Sequence, residues 1–318
     1  MKLLVISNCQ GPLLHHSFLR TASRRFASTY EPIGDLQVHK LAAHEAARVE
    51  ALIEQAEVIL TQPIVNARLE SCTLASLRKR VGKRIEVFPA LHFDALLPGA
   101  VFNTWKAPNF PFGFWEEDVS FAAAYCAGLT PDQTLTAFHE IPVLSPAQIE
   151  ARVAWSVGQI RQRETEAEVE VPMSDFYADS WRDTALHYEK SHPKTAPYLE
   201  LCRRFARRFD LDDLDLSLVR DHPGNCHFGL PIKAWVKQAG QLRFDDDPGV
   251  ALVETRPAPF EEVIAAHLEF YATRGVAAVQ AHHADQPYFQ RALSTYQQAF
   301  RPLARLRRAV RSVVGRRG

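Results

Sequence analysis

Signatures of several common enzyme classes are missing from the sequence. There is no GxGxxG, no GxxxxGK[ST] and no HExxH, so dinucleotide-binding, P-loop and zincin readings have no anchor. The five cysteines, Cys9, Cys72, Cys126, Cys202 and Cys226, are odd in number and show no CxxC spacing. That argues against a disulfide framework or a structural zinc site and suits a reducing, cytoplasmic compartment. His282-His283 are adjacent rather than four apart, a poor metal pair by spacing, and Cys226 with His222 and His227 has no paired ligands elsewhere. No metal is therefore expected. No stretch approaches the ~18 apolar residues of a membrane span. Residues 3–6 run straight into Ser7-Asn8, too short an apolar core for a signal peptide.

What is present is an ordinary globular composition: 318 residues, 47% apolar and 23% charged. This length suits one large α/β domain or such a domain with an elaboration. The formal net charge is zero but unevenly spread. Seven Arg and no acid fall in residues 301–318, which leaves 30 of the 37 basic residues against 37 acids for the rest. A mildly acidic body argues against a nucleic-acid partner.

Leu3-Leu4-Val5-Ile6-Ser7 reads as a central strand buried on both faces. Gly11-Pro12 then opens a helix to about Phe26. Helix at 42–56, strand at Val58–Thr61, helix at 66–80 and strand at Arg84–Phe88 continue a β-α-β-α-β alternation, the pattern of a parallel, doubly wound sheet. Such sheets bind ligands at the carboxyl ends of their strands, here Asn8-Cys9-Gln10, Gln62-Pro63 and Pro89–His92. Residues 98–115, rich in Pro, Gly and aromatics including Trp105, read either as a binding loop or as an apolar plug. Beyond 117 the spacing is mostly helical, with segments at 117–127, 130–138, 145–167, 173–189, 195–208, 226–239 and 259–281. A short strand is expected at Leu214–Val219. The expected division is thus a 1–116 sheet portion, a 117–300 mostly helical C-terminal elaboration that returns Asp221–His227 to the site, and a 301–318 basic amphipathic tail. The tail's Arg and apolar residues alternate at helical spacing, suited to anionic lipid or an acidic partner.

The chemistry centres on Cys9. A thiol at a strand-to-helix turn sits in the positive field of the unpaired helix N–H groups, which favours thiolate. The same N–H groups, with amides from Asn8, Gln10 and Gln62, could hold an oxyanion. The alternative is that Cys9 is a small buried filler. The base is sought in Asp221-His222-Pro223-Gly224-Asn225-Cys226-His227, with His92 and His15 or His16 competing. His187 and His192, far from any expected strand end, read as surface or structural residues.

The strand–Ser7-Asn8-Cys9-Gln10–helix opening resembles the WcbI family of capsular polysaccharide biosynthesis enzymes, with Gln62-Pro63, Phe88-Pro89…His92 and Asp221-His222-Pro223 similar in order. The resemblance implies an acetyltransferase that binds coenzyme A, uses acetyl-CoA as donor and acetylates a sugar hydroxyl of a surface polysaccharide in the cytoplasm. It also implies an SGNH/flavodoxin-like fold with Cys9 at the nucleophile position and Asp221 and His222, or His227, as the acid–base pair. Asn8, Gln10, Gln62, His92 and Trp105 would line the substrate and oxyanion pocket, and Arg20, Arg24 and Lys194 would meet the CoA phosphates. An SGNH-like carbohydrate esterase, with water as acceptor, is the first rival. A non-catalytic component of a polysaccharide assembly complex, docked on protein or membrane through 301–318, is the second.

Overall fold

The computed structural model describes residues 1–113, 116–220, 228–245, 250–254 and 256–314, with backbone alone for 228 and 302–314. The chain divides into two units. One combines Met1–Phe93 with Arg152–Cys226, and the other combines Asp94–Ala151 with His227–Gly318. The expected cut near 116 is thus replaced by a chain that leaves the first unit at 93 and re-enters it at 152. Residues 301–314 continue helix Pro287–Val314.

The first unit is built on four parallel strands, β1 (Lys2–Ser7), β2 (Glu31–Gln37), β3 (Val58–Thr61) and β4 (Arg84–Val87), in the order β2-β1-β3-β4. Leu3 to Ser7 are all buried, as a central strand covered on both faces requires. Below them Leu4, Ile6 and Ile59 pack with Val49 and Ile53 of helix Ala46–Gln55 and with Leu77. Each fully buried aliphatic side chain of this kind contributes roughly 1.5–3 kcal/mol.

β2 was not anticipated. Pro32 and Gly34 argue against a central strand, but β2 lies at the sheet edge, where proline is tolerated, and a register irregularity opposite Leu3/Leu4 absorbs the mismatch. Three other segments also differ. The 66–80 helix shortens to Leu74–Arg78 after a 3-10 turn. The Leu214–Val219 strand is a 3-10 turn at Leu216–Leu218. The 173–189 helix stops at Ser180, and the chain then forms a small hairpin, His187–Glu189 with His192–Pro193. That hairpin feeds directly into helix Thr195–Arg208. This helix is fixed by Tyr198 stacked on Phe18 at 4.6 Å and by Phe205 edge-on to Phe88 at 6.3 Å.

The second unit contains a two-stranded hairpin, Ala100–Phe102 with Glu116–Asp118, and a three-stranded antiparallel sheet. Its helices include Val119–Cys126, Pro131–Glu140, Phe260–Arg274, Val276–His282 and Pro287–Val314. Of the aromatics in 98–113, Phe110 is buried in this unit, edge-on to Phe270 and His267 at 5.0 and 5.5 Å, while Phe102 and Phe112 are exposed. Asp118 and Lys233 form a buried ion pair, and the ammonium lies 4.1 Å over the Phe138 ring. Among the described residues no helix is long and apolar enough to cross a membrane.

The turn after β1 depends on close packing. The helical stretch begins at Gln10–Pro12, widens to a π-helix over Leu13–Leu19 and closes at Arg20–Ala22. A Cβ on Gly11 would lie 1.9 Å from Ser7 Oγ and 2.9 Å from Val5 Cγ1, so only glycine lets the helix start this near the strand. Gly11→Ala should therefore lower stability by about 1–3 kcal/mol through overpacking, measured as a drop in the urea midpoint. An unchanged midpoint would show that the helix start has room to shift.

Candidate active site

The ends of β1, β3 and β4 meet at one edge of the sheet, where Ile6 pairs with Thr61 and Thr61 with Val87. Gln62 Nε2 donates to Gln10 Oε1 at 2.9 Å, and Gln62 Oε1 accepts the Asn8 N–H at 2.9 Å. Gln10 Oε1 also accepts the Leu91 N–H at 3.1 Å. Its Nε2 donates to the Leu91 and Ser191 carbonyls at 2.9 and 2.7 Å. Gln62 Nε2 additionally approaches the Pro89 carbonyl at 3.5 Å. Both glutamines are buried. Their amides are committed to the protein, so they brace the site rather than serve as the oxyanion donors expected of them. Asn8 behaves differently: its Oδ1 accepts the Gln10 N–H at 2.8 Å.

This brace presents Cys9 to the 187–193 hairpin. Cys9 Sγ lies 3.4 Å from His192 Nε2, and His192 Nδ1 is hydrogen-bonded to the Glu189 carboxylate. Glu189 is buried and also accepts from Ser191 N–H and Oγ–H at 3.1 and 2.8 Å. Burial alone would lower the His192 pKa, but the bonds to Cys9 and Glu189 outweigh it and push it up to about 10. The imidazole is thus held as a cation at neutral pH. A cation on the sulfur favours thiolate, and a carboxylate behind the ring fixes tautomer and orientation.

His187 supports the hairpin from behind. Its Nδ1–H donates to the Glu189 carbonyl at 3.1 Å and its Nε2 accepts the Tyr177 hydroxyl at 2.6 Å. Burial holds its pKa down at about 3, so it stays neutral. The structural reading of His187 agrees with this placement, whereas His192 proves to be the residue on the thiol. His92 lies past the β4 end, where burial, followed by the charge of Arg163, lowers its pKa from the ordinary imidazole value.

Asp221, His222 and His227 lie outside the described residues, and among the described residues the imidazole at Cys9 is that of His192. Trp105 belongs to the second unit, where His282 stacks on one face at 3.7 Å and its Nε1–H donates to Glu117 at 3.1 Å. It thus contributes to that unit's packing. Arg20 donates to the Tyr30 carbonyl at 2.8 Å, and Arg24 is exposed. Lys194 sits 5.1 Å over the Tyr188 ring, two residues past His192.

A cysteine–histidine–glutamate relay at the strand ends of a parallel sheet defines an α/β protein with a nucleophile-type site. The model of the family described as polysaccharide biosynthesis enzyme WcbI matches residues 2–214. The chain belongs to the WcbI family of polysaccharide biosynthesis enzymes. A solved structure of a WcbI enzyme is similar in fold, with a TM-score of 0.76 at 19% identity, covering 93% of this chain and 98% of that one. It is described as the native protein without a disulfide bond between coenzyme A and one of its cysteines. A search of curated proteins finds no match.

Two measurements check the electrostatics. Burial pushes the Cys72 and Cys126 thiols up to about 11 and Cys202 higher still, so these three should not compete for iodoacetamide at pH 7. Mass-spectrometric mapping should find Cys9 modified ahead of them, and His192→Gln should slow that reaction at least ~10-fold. Equal rates in both proteins would show that the His192 cation does not act on the sulfur. His187 titrates lower in the folded than in the unfolded chain, so the unfolded chain takes up the extra proton. The contribution is complete above about pH 6.5 and is lost as pH falls toward 3. The urea midpoint should fall over that range, less steeply in His187→Gln; parallel curves would overturn the assignment.

Proposed function

We propose that the chain is a cytoplasmic O-acetyltransferase that moves an acetyl group from acetyl-CoA to a sugar hydroxyl in capsular or other surface-polysaccharide synthesis, on an SGNH/flavodoxin-like sheet. The observation that carries this reading is Cys9 Sγ 3.4 Å from His192 Nε2, with Glu189 on the far ring nitrogen. The description of the solved relative couples coenzyme A with a cysteine of that protein, and Cys9 is the thiol that this chain sets at a strand end.

In this mechanism the Cys9 thiolate attacks the acetyl carbonyl. The oxyanion of the tetrahedral intermediate is held by the Asn8 side-chain amide. The intermediate collapses to acetyl-Cys9, and His192 gives its proton to the departing CoA sulfur. The neutral imidazole then accepts the proton of the sugar hydroxyl as that oxygen attacks the thioester. Collapse releases the acetylated sugar and restores the thiolate beside a protonated His192. Glu189 stabilises the imidazolium throughout. Lys194 and His92, both near the relay, serve the CoA phosphates and the acceptor.

The test is calorimetric titration with CoA and acetyl-CoA followed by transfer assays. Binding should be measurable in wild type. Cys9→Ala and His192→Gln should keep CoA binding while losing acetyl transfer by about 10²–10⁴-fold. No binding of either ligand at millimolar concentration would reject the transferase, and acetyl-ester hydrolysis without CoA affinity would reassign the relay to an esterase. Full transfer by Cys9→Ala would remove the covalent step.

A further inference from the structure

The second unit holds a cluster that the acyl-transfer reading does not use. Glu117, on the Glu116–Asp118 strand, and His283, just past helix Val276–His282, are 1% and 2% exposed. Glu117 Oε1 and His283 Nε2 face each other at 3.3 Å, yet neither atom makes a hydrogen bond. A bare polar atom at this depth is costly, and two facing one another are unusual.

The other carboxylate oxygen is firmly held. Glu117 Oε2 accepts from Trp105 Nε1 at 3.1 Å and from the Tyr271 hydroxyl at 3.3 Å, which aims Oε1 at His283. His282 brings a third donor. Its ring stacks on Trp105 at 3.7 Å, its Nε2 meets Thr104 Oγ1 at 3.0 Å, and one ligand atom from each of Glu117, His282 and His283 lies within 4.8 Å of the others.

We infer that Glu117, His282 and His283 form a binding site for a divalent zinc-class cation. Two ligands about 2.0–2.2 Å from a tetrahedral zinc ion are themselves roughly 3.3–3.5 Å apart, and the Glu117–His283 separation already has that value. Two imidazoles and one carboxylate suit zinc or its borderline neighbours rather than calcium or magnesium, which prefer all-oxygen shells. Three protein ligands leave a fourth position for water. The Trp105 and Tyr271 donors on Glu117, and Thr104 on His282, are the outer partners that orient ligands in such sites. The adjacent His282-His283 pair is poor by spacing alone; the fold supplies Glu117 from 165 positions earlier.

The experiment uses the full chain with Cys9→Ser, so that no strand-end thiolate competes, after removal of metals with a chelator. Equilibrium dialysis with Zn²⁺ and elemental analysis should find about one bound ion, and Co²⁺ should give visible ligand-field bands without thiolate charge-transfer absorption. His282→Ala changes a partly exposed residue and is the variant least dangerous to folding. It should weaken binding at least ~10-fold, while Glu117→Gln should abolish the cobalt bands. Zinc should raise the melting temperature of the parent and not of Glu117→Gln. No retained zinc, or equal binding by parent and variants, overturns the site and leaves a plain carboxyl–imidazole contact.

Discussion

The site depends on one buried carboxamide. Gln10 makes four hydrogen bonds, to Gln62, to both backbone groups of Leu91 and to the Ser191 carbonyl. A primary amide has two donors and two acceptor lone pairs, and all four are used. Three strand ends and the hairpin are therefore tied to a single side chain. A residue that lost either end of this amide would strand polar groups in a dry interior, at about 1–3 kcal/mol each. The brace explains how a thiol and an imidazole 183 positions apart come within 3.4 Å.

The two sides of the relay are held by different means. Cys9 is fixed by backbone packing, since Gly11 sits against Ser7 and Val5 with no room for a side chain. His192 is fixed by charge and by the hairpin. Glu189 is three residues earlier and turns its carboxylate onto the ring, while His187, neutral and bonded to Tyr177, supports the same turn from its apolar side. Helix Thr195–Arg208 then anchors the hairpin to the sheet through Tyr198 and Phe205. The His192 imidazole is held on a short hairpin because Glu189 and His187 of the same hairpin are both buried.

Much of the sheet was legible from the sequence because buried parallel strands are continuous apolar runs, as β1 and β3 are, while β4, at the other edge, alternates Arg84 and Glu86 with Ile85 and Val87. β2 did not, since an edge strand can contain Pro32 and Gly34 without breaking a ladder on both sides. The strand-end thiol was legible for the same reason as β1: Asn8-Cys9-Gln10 is polar punctuation after an apolar run. Its partner was not. Residues 173–189 carry helical spacing, and reading them as one helix hid the hairpin that makes His192 a strand-end residue. Nothing local distinguishes Glu189 and His192 from a solvated i,i+3 pair. The property that sets them apart is tertiary, a contact with Gln10 through Ser191.

The glutamines show the same limit from the other direction. Amides at strand ends suggest ligand contact, and position alone cannot tell a donor facing a pocket from one facing the backbone. The decision rests on counting partners. Gln62 and Gln10 satisfy each other and the β4 turn, so their polarity supports rigidity; Asn8 gives only its oxygen to the turn. Of the three amides flanking the thiol, the two that are most deeply buried hold the geometry. The least buried, Asn8, gives its oxygen to the turn beside the thiol.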